Sequence, residues 1–516
     1  MKKIIFYISM LVIFIYWIYI RYYELWTWSF WIDEWYSSIV SYFASLNNFI
    51  PYLASGKYDF SQYLFTFFQS ISFYSFWISD YSARLPSFVF WIINILIYYL
   101  LSIELLKNNK NRYLATFSIM FVFIFSTWQI IWTREARFYE LLSFLYLINI
   151  YFLWKYTLTN NFRYYLLFFI FALTWILFHP FCFWLILIWL IVLFYNIYKE
   201  KNYNKFSLIL WFFIIWLIYL LIDIWFKYIS SWDIYLSESI PKVNNINNYN
   251  YINYLLLYIK NLYNELWIIF ITYSIWVIYM LYRKKIYEFL IFWLLVAINI
   301  LIISYWYMAH TRYMFHLYSI ITLIWWYNMF IFWEYLISKY NYRFKKIISV
   351  WIILLFTIWI YFTYNLTIVP QRFYYIDYTS PKPNFKMAYN YLNQNYKDSN
   401  IISWFPQLCY WYNINNTQKC KYAINVNLIW NKNLINELKE LKYENYTNLE
   451  FINNLENIKN IENYYFLLDD LTIKNAINKN LIEDIIDKCD LFYKDIWNYE
   501  SNNLLWIWHC NKKNNN

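Results

Sequence analysis

Long apolar runs separated by short basic clusters make up most of this chain. Residues 4–20, 84–106, 113–131, 206–222 and 347–364 are nearly uncharged. Each is roughly long enough to cross ~30 Å of hydrocarbon. Between the runs lie Lys2-Lys3, Lys107/Lys110/Arg112, Lys155/Arg163, Lys199/Lys201/Lys205, Arg283/Lys284/Lys285 and Lys339/Arg343/Lys345/Lys346. Lys and Arg accumulate in cytoplasmic loops. With all six clusters inside, the spans fall near 4–20, 84–106, 113–131, 138–154, 163–178, 180–198, 206–228, 262–282, 286–304, 313–336 and 347–364. That is about eleven crossings, with the N-terminus cytoplasmic and the C-terminus extracytoplasmic. Residues 62–79 are also apolar, but a crossing there would invert every later loop. They are expected to form a re-entrant or interfacial helix in the first outer loop. No small-residue cleavage site follows residues 1–20, so that run reads as a retained span.

The pattern changes after Tyr364. Asn, Lys, Glu and Asp rise, Pro370, Pro381, Pro383 and Pro406 cluster, and short apolar runs (400–405, 464–468, 504–508) alternate with polar helical stretches such as Leu434–Leu441. That alternation predicts a small α/β domain. The expected fold class is a polytopic α-helical membrane protein with a small C-terminal α/β extracytoplasmic domain. The transmembrane module covers 1–364, with 21–83 as a first outer loop carrying an acidic motif and interfacial helices. The soluble domain covers 365–516. Its Cys409, Cys420, Cys489 and Cys510 would face an oxidising compartment. Cys409–Cys420 and Cys489–Cys510 are the first pairings to consider, and free thiols are the alternative.

Composition strengthens the membrane reading: 62% of residues are hydrophobic, 27% aromatic and only 14% charged. The formal charge of +11 does not point to nucleic acid, because the basic residues are dispersed among loops rather than gathered on one domain. The chain also holds one Gly (Gly56) and 32 Trp, where ordinary usage gives about 36 Gly. Ala and Pro are depleted far less than Gly, so AT-rich coding does not account for the deficit. A code in which UGA specifies glycine, rendered here as Trp, does. The alternative is a Trp-rich membrane protein, since Trp favours bilayer interfaces.

With the topology set, the polar residues at the outer ends of the spans are Asp33-Glu34, Arg84, Arg134-Glu135-Ala136-Arg137, His179 and His310-Thr311-Arg312. Each has an ordinary structural role open to it. The acidic pair can cap a helix over 35–46. Arg84 and the Arg312-Tyr313 pair can anchor at the interface. Arg134 and Arg137 can pair with Glu135 and Glu140, and His179-Pro180 can make a tight turn. Their placement on one face favours a shared function. A carboxylate among several Arg and a His suits attack on a lipid-linked phosphosugar. The carboxylate serves as base for the incoming hydroxyl, and the guanidiniums bind the phosphate and stabilise its charge as it leaves. No G-x-G-x-x-G or P-loop is evident.

The run Trp31-Ile32-Asp33-Glu34-Trp35-Tyr36-Ser37-Ser38 resembles the acidic motif in the first outer loop of GT-C-type glycosyltransferases, in particular the protein O-mannosyltransferase and aminoarabinose-transferase-like enzymes. Residues 63–91 resemble that family's apolar helix, its phenylalanine-glycine pair and its arginine-leucine-proline-serine motif, matched by Arg84-Leu85-Pro86-Ser87. Residues 131–142 resemble its arginine-containing outer loop. Phe178-His179-Pro180-Phe181 resembles its threonine-histidine loop, with Phe178 in place of threonine. Thr311-Arg312-Tyr313 resembles a late arginine-tyrosine motif, and 382–388 the start of its outer domain. Trp77 and Trp91 fall where the family carries Gly, and Trp35 where a small residue is common.

The resemblance implies a GT-C-like fold and transfer of a sugar from a polyprenyl-phosphate donor to a lipid, glycan or protein acceptor outside the plasma membrane. It implies Asp33 as catalytic base, with Glu34 supporting or substituting. Arg84, Arg134, Arg137, His179, Arg312 and Tyr313 are the implied donor-site residues. The second acidic motif of oligosaccharyltransferases is not visible, so no metal or other cofactor is claimed. A lipid-linked glycan polymerase or ligase is the enzymatic alternative, but the early Asp-Glu and Arg-Leu-Pro-Ser motifs are not characteristic of it. A transporter or flippase would place ionisable residues at mid-bilayer, where Asp223 is the only candidate acid.

Overall fold

The computed structural model describes, in the main, residues 2–22, 32–53, 58–60, 62–107, 112–176, 268–282, 295–305, 315–339, 385–396, 400–425, 442–443, 447–452, 463–494 and 505–511. The spans expected at 180–198, 206–228 and 347–364, and the helix expected at Leu434–Leu441, lie wholly or largely outside the described residues. The chain divides into two compact units. One is Met1–Tyr23, Pro86–Phe226 and Asn244–Pro370, and the other is Glu24–Leu85, Lys227–Val243 and Gln371–Asn516. The first outer loop therefore belongs to the same compact unit as the tail.

The first unit is helical. Its described elements are α1 (Lys2–Tyr22), most of α4 (Asp80–Leu105), α5 (Arg112–Phe125), α6 (Thr127–Thr133), α7 (Tyr139–Thr159), α8 (Phe162–Ile176), α9 (Ile268–Tyr282), α10 (Leu295–Tyr305) and α11 (Phe315–Lys339). Among the described helices, Asp80–Leu105 and Tyr139–Thr159 are long and apolar enough to cross a membrane. The helices are joined by sparse polar contacts in an apolar interior. Ser126 Oγ donates to Tyr318 Oη at 2.8 Å, and Gln129 Nε2 to Ser319 Oγ at 3.3 Å. α7 ends at Asn160, whose left-handed backbone (φ 52°) lets its N–H bond Tyr156 O. Asn tolerates that conformation better than most residues.

In the second unit α2 (Ile32–Leu46) packs on α3 (Tyr63–Phe76). α3 has 14 residues, about 21 Å of helix, shorter than the ~30 Å hydrocarbon core. The interface is polar. Ser37 and Ser38 of α2 are buried, as is Ser41 one helical turn on. Gln69 of α3 spans the seam: its Oε1 accepts from Ser41 Oγ at 2.7 Å, and its Nε2 donates to Ala83 O at 2.8 Å. Pro86 lies inside α4 and has no N–H for the carbonyl four residues earlier. That carbonyl, Ser82 O, accepts from Ser72 Oγ of α3 at 2.6 Å instead. α3 ends at Trp77, at φ 68° and ψ 160°.

The tail in this unit forms a six-stranded mixed sheet from β1 (Asn400–Ser403), β2 (Cys420–Ile424), β3 (Phe451–Ile452), β4 (Asn463–Asp469), β5 (Asp490–Lys494) and β6 (Leu505–Asn511), in the order β3-β2-β1-β4-β6-β5. β1 pairs parallel with β2 and β4, and β6 runs antiparallel to β4 and β5. β4 is buried at six consecutive positions, as a central strand covered on both faces must be. Helices α12 (Phe385–Asn395), α13 (Pro406–Tyr412), α14 (Asp470–Asn475) and α15 (Lys479–Lys488) accompany it. Disulfides join Cys409 to Cys420, with Cα atoms 5.9 Å apart, and Cys489 to Cys510, 4.5 Å apart. The outer loop is tied to this domain through Asp80, which accepts from Lys386 Nζ at 2.6 Å and from Trp411 Nε1 at 2.8 Å.

Candidate functional site

The acidic motif opens α2. Asp33 is in its first turn by backbone position, and the Asp33 side chain lies outside the described residues. Glu34 is fully buried. It meets Arg84 from the first turns of α4: Arg84 Nε donates to Oε1 at 2.8 Å and Nη2 to Oε2 at 3.1 Å. This fork-on-carboxylate arrangement is the strongest form of side-chain pairing and fixes both groups in orientation. Two residues on, Tyr36 Oη donates to Asp59. The helix face beginning with Glu34 is thus held polar and rigid, with Asp33 next to it in the chain.

In the other unit Arg134, Glu135 and Arg137 sit in the turn between α6 and α7, all nearly fully buried. One side of α4 holds that turn. Ser87 Oγ donates to Arg137 O at 2.9 Å. Asn94 Nδ2 donates to Glu140 O at 3.0 Å and to Glu140 Oε2 at 2.8 Å. Ser87 and Asn94 are seven residues apart, two turns along one helix face. Arg137 also stands over the Phe138 ring, 5.2 Å from its centroid. Guanidiniums have the paired N–H donors and the fixed charge that recognition of an anion requires.

Two buried polar residues near this group drew no attention in the sequence. Arg21, the penultimate residue of α1, is completely buried. Its Nη2 donates to Ile124 O at 2.8 Å, and its guanidinium carbon lies 4.0 Å from the Trp17 ring and 4.2 Å from the Trp91 ring. Asn94 is the second. The available signal was a single polar residue in or beside an otherwise apolar run, which is costly in hydrocarbon and therefore purposeful.

Glu34 and Arg84 are brought together in one unit, and Arg134 and Arg137 share a turn in the other. His179, Arg312 and Tyr313 lie outside the described residues. Among the described residues no group of three or more His, Cys, Asp or Glu side chains could hold a metal ion.

No family model matches the sequence, and no curated protein does. Solved structures do match. The chain shares its fold with ArnT from Cupriavidus metallidurans bound to undecaprenyl phosphate, at a TM-score of 0.58 and 9% identity, over 98% of both chains. The apo form of the same enzyme matches at a TM-score of 0.53 and 8% identity, over 99% of this chain and 98% of that one. ArnT is an aminoarabinose transferase, a glycosyltransferase of the GT-C type. The shared fold is accordingly that of a polytopic membrane protein.

Proposed function

We propose, from the fold shared with ArnT, that this protein is a membrane glycosyltransferase. It takes a sugar from a polyprenyl-phosphate donor and passes it to a lipid, glycan or protein acceptor at the outer face of the plasma membrane. The observation that carries this reading is the match over 98% of both chains to a structure holding undecaprenyl phosphate. The N-terminus is cytoplasmic, about eleven spans follow, and the C-terminal domain is extracytoplasmic.

In the proposed reaction an acceptor hydroxyl oxygen bonds to the anomeric carbon while the bond from that carbon to the phosphate oxygen breaks. The polyprenyl phosphate departs with the electron pair, and the hydroxyl proton passes to Asp33. Glu34 supports Asp33 by holding Arg84 in a fixed fork. Arg84, Arg134 and Arg137, with His179, Arg312 and Tyr313, serve the donor phosphate. No resident metal or other cofactor enters this scheme.

The test is incubation of the purified protein with labelled polyprenyl-phosphate sugars and membrane extract, with label followed into the acceptor fraction. Asp33→Asn keeps the size of the side chain and removes the base. It should slow transfer by roughly 10²–10⁴-fold and leave donor affinity nearly unchanged. A near-normal rate in Asp33→Asn would remove Asp33 from this role. The absence of transfer from every donor tried would remove the reading itself.

A further inference from the structure

Arg21 has bonds to give and nowhere to give them. It is fully buried against the Trp17 and Trp91 rings, and of its nitrogens Nη2 makes a hydrogen bond while Nε and Nη1 have no hydrogen-bond partner. Leaving N–H groups of a buried cation unmade is unfavourable by more than for a neutral donor. Arg134 lies close enough to repel Arg21, and Glu140 close enough to attract it. No Glu140 oxygen comes within ion-pairing distance of Arg21, however, and Glu140 Oε2 is bound by Asn94 instead. Among the described residues of that unit, Arg21, Arg134 and Arg137 are buried cations, and Glu135 and Glu140 are buried acids. A surplus of positive charge in a low-dielectric interior calls for an anion. By the expected topology Arg21 lies at the outer end of the first span, as Arg134 and Arg137 lie at the outer end of later ones.

We propose that Arg21 is a phosphate ligand, binding the phosphate of a polyprenyl carrier together with Arg134 and Arg137. This rests on the transferase reading above. The test measures binding of farnesyl phosphate and of inorganic phosphate to the full chain in detergent. Arg21→Gln should weaken farnesyl phosphate binding by about 10- to 100-fold, the worth of one charge-assisted contact. Arg21→Lys should fall between, because a point charge replaces a fork. Where Arg21→Gln does not fold, Arg21→Lys carries the test, with ligand-induced stabilisation as readout. If both variants bind farnesyl phosphate as the parent does, Arg21 serves only to hold Ile124 O, and the proposal falls while the transferase reading stands. A parent that binds neither ligand overturns both. Equal, Arg21-dependent affinity for inorganic phosphate overturns the lipid carrier as the ligand.

A second inference rests on separate observations. Trp77 sits at φ 68° and ψ 160°, a region essentially reserved for glycine because a Cβ clashes there. The centroids of the Trp17 and Trp91 rings are 2.5 Å apart, against about 4.5–7 Å for packed aromatic pairs. The space between α1 and α4 does not hold two indoles. The buried Nε1 of Trp91 has no hydrogen-bond partner either. We infer that residues 77 and 91 are glycine in the natural protein, encoded by UGA. Glycine at 91 would also clear one face of the Arg21 guanidinium. Tandem mass spectrometry of the protein from its native cells should show the glycine mass at both positions. Tryptophan at either would overturn the assignment there. In protein made from a synthetic gene with UGG at these positions, Trp91→Gly should raise the melting temperature; a lower one would count against glycine at 91.

Discussion

Glu34 and Arg84 close on each other with both carboxylate oxygens engaged, whereas Arg21 and Glu140, equally buried in the other unit, do not pair. The first group is complete. Its neighbours Ser37, Ser41, Gln69 and Ser72 are likewise bonded to one another or to main chain. The second keeps donors unspent on Arg21. A finished network adds rigidity and resists rearrangement. An unfinished one stores a desolvation penalty that a ligand relieves on binding. The contrast separates residues whose loss should be felt in folding from residues whose loss should be felt in binding.

The sharpest way to break this contrast is to open the closed pair. Arg84→Met should take the fork away from buried Glu34, and destabilise the protein by about 3–5 kcal/mol, read as a large drop in melting temperature and yield in detergent. The double variant Glu34→Leu/Arg84→Met should recover much of that loss, because neither charge is then stranded. If Arg84→Met is as stable as the parent, the fork on Glu34 is not what holds this group together, whatever Arg84 contributes to donor binding. The second test is Asp80→Ala, which frees Lys386 and strands the buried indole N–H of Trp411. It should cost about 1.5–3 kcal/mol, and hydrogen exchange should rise over 63–76 and 406–412. Exchange unchanged there would mean that Asp80 does not tie the loop to the tail domain.

Asn94→Leu probes the open side. It removes the donor to both Glu140 oxygens that Asn94 serves, and should cost about 1–3 kcal/mol, less than breaking the closed pair. The added effect should be on binding, because Glu140 would then be free to turn toward Arg21 and compete with the phosphate. A farnesyl phosphate affinity that is unchanged or improved in Asn94→Leu would show that Glu140 does not compete.

The two groups differ as much in how legible they were. α4 and α7 follow from uninterrupted apolar runs, and β1, β4 and β6 from the short runs at 400–405, 464–468 and 504–508, because burial on both faces writes itself into composition. β2 (CKYAI) and β5 (DLFYK) were hidden. Both mix charged and apolar positions, and β5 is an edge strand whose charges are tolerated in solvent. Arg84 and the acidic motif were legible as chemistry, but not their mutual pairing, which joins residues 50 apart in the chain. The serines of α2 carry no sign of burial in the sequence, and only the packing of α3 turns them inward. Arg21 gives no distinct signal in the sequence, because a lone Arg at a span end most often anchors at the interface. Its burial depends on α4 and α5 closing over it, which no local pattern records.

The smallest expected effect tests whether the closed group is as complete as it looks. Ser72 Oγ occupies the Ser82 carbonyl that Pro86 cannot serve. Ser72→Ala should therefore cost about 1 kcal/mol, the loss of one buried hydrogen bond. Pro86→Ala restores an N–H four residues after Ser82 and gives that carbonyl a helical partner. In the Pro86→Ala background, Ser72→Ala should then cost much less, and the difference between the two values is the coupling energy of the two sites. Thermal unfolding of the four proteins measures it. Equal losses in both backgrounds would mean that Ser72 stabilises the α3–α4 junction for a reason unconnected with the proline. The serine would then be an independent contact, and the network around Glu34 and Arg84 would be less interlocked than its bonding suggests.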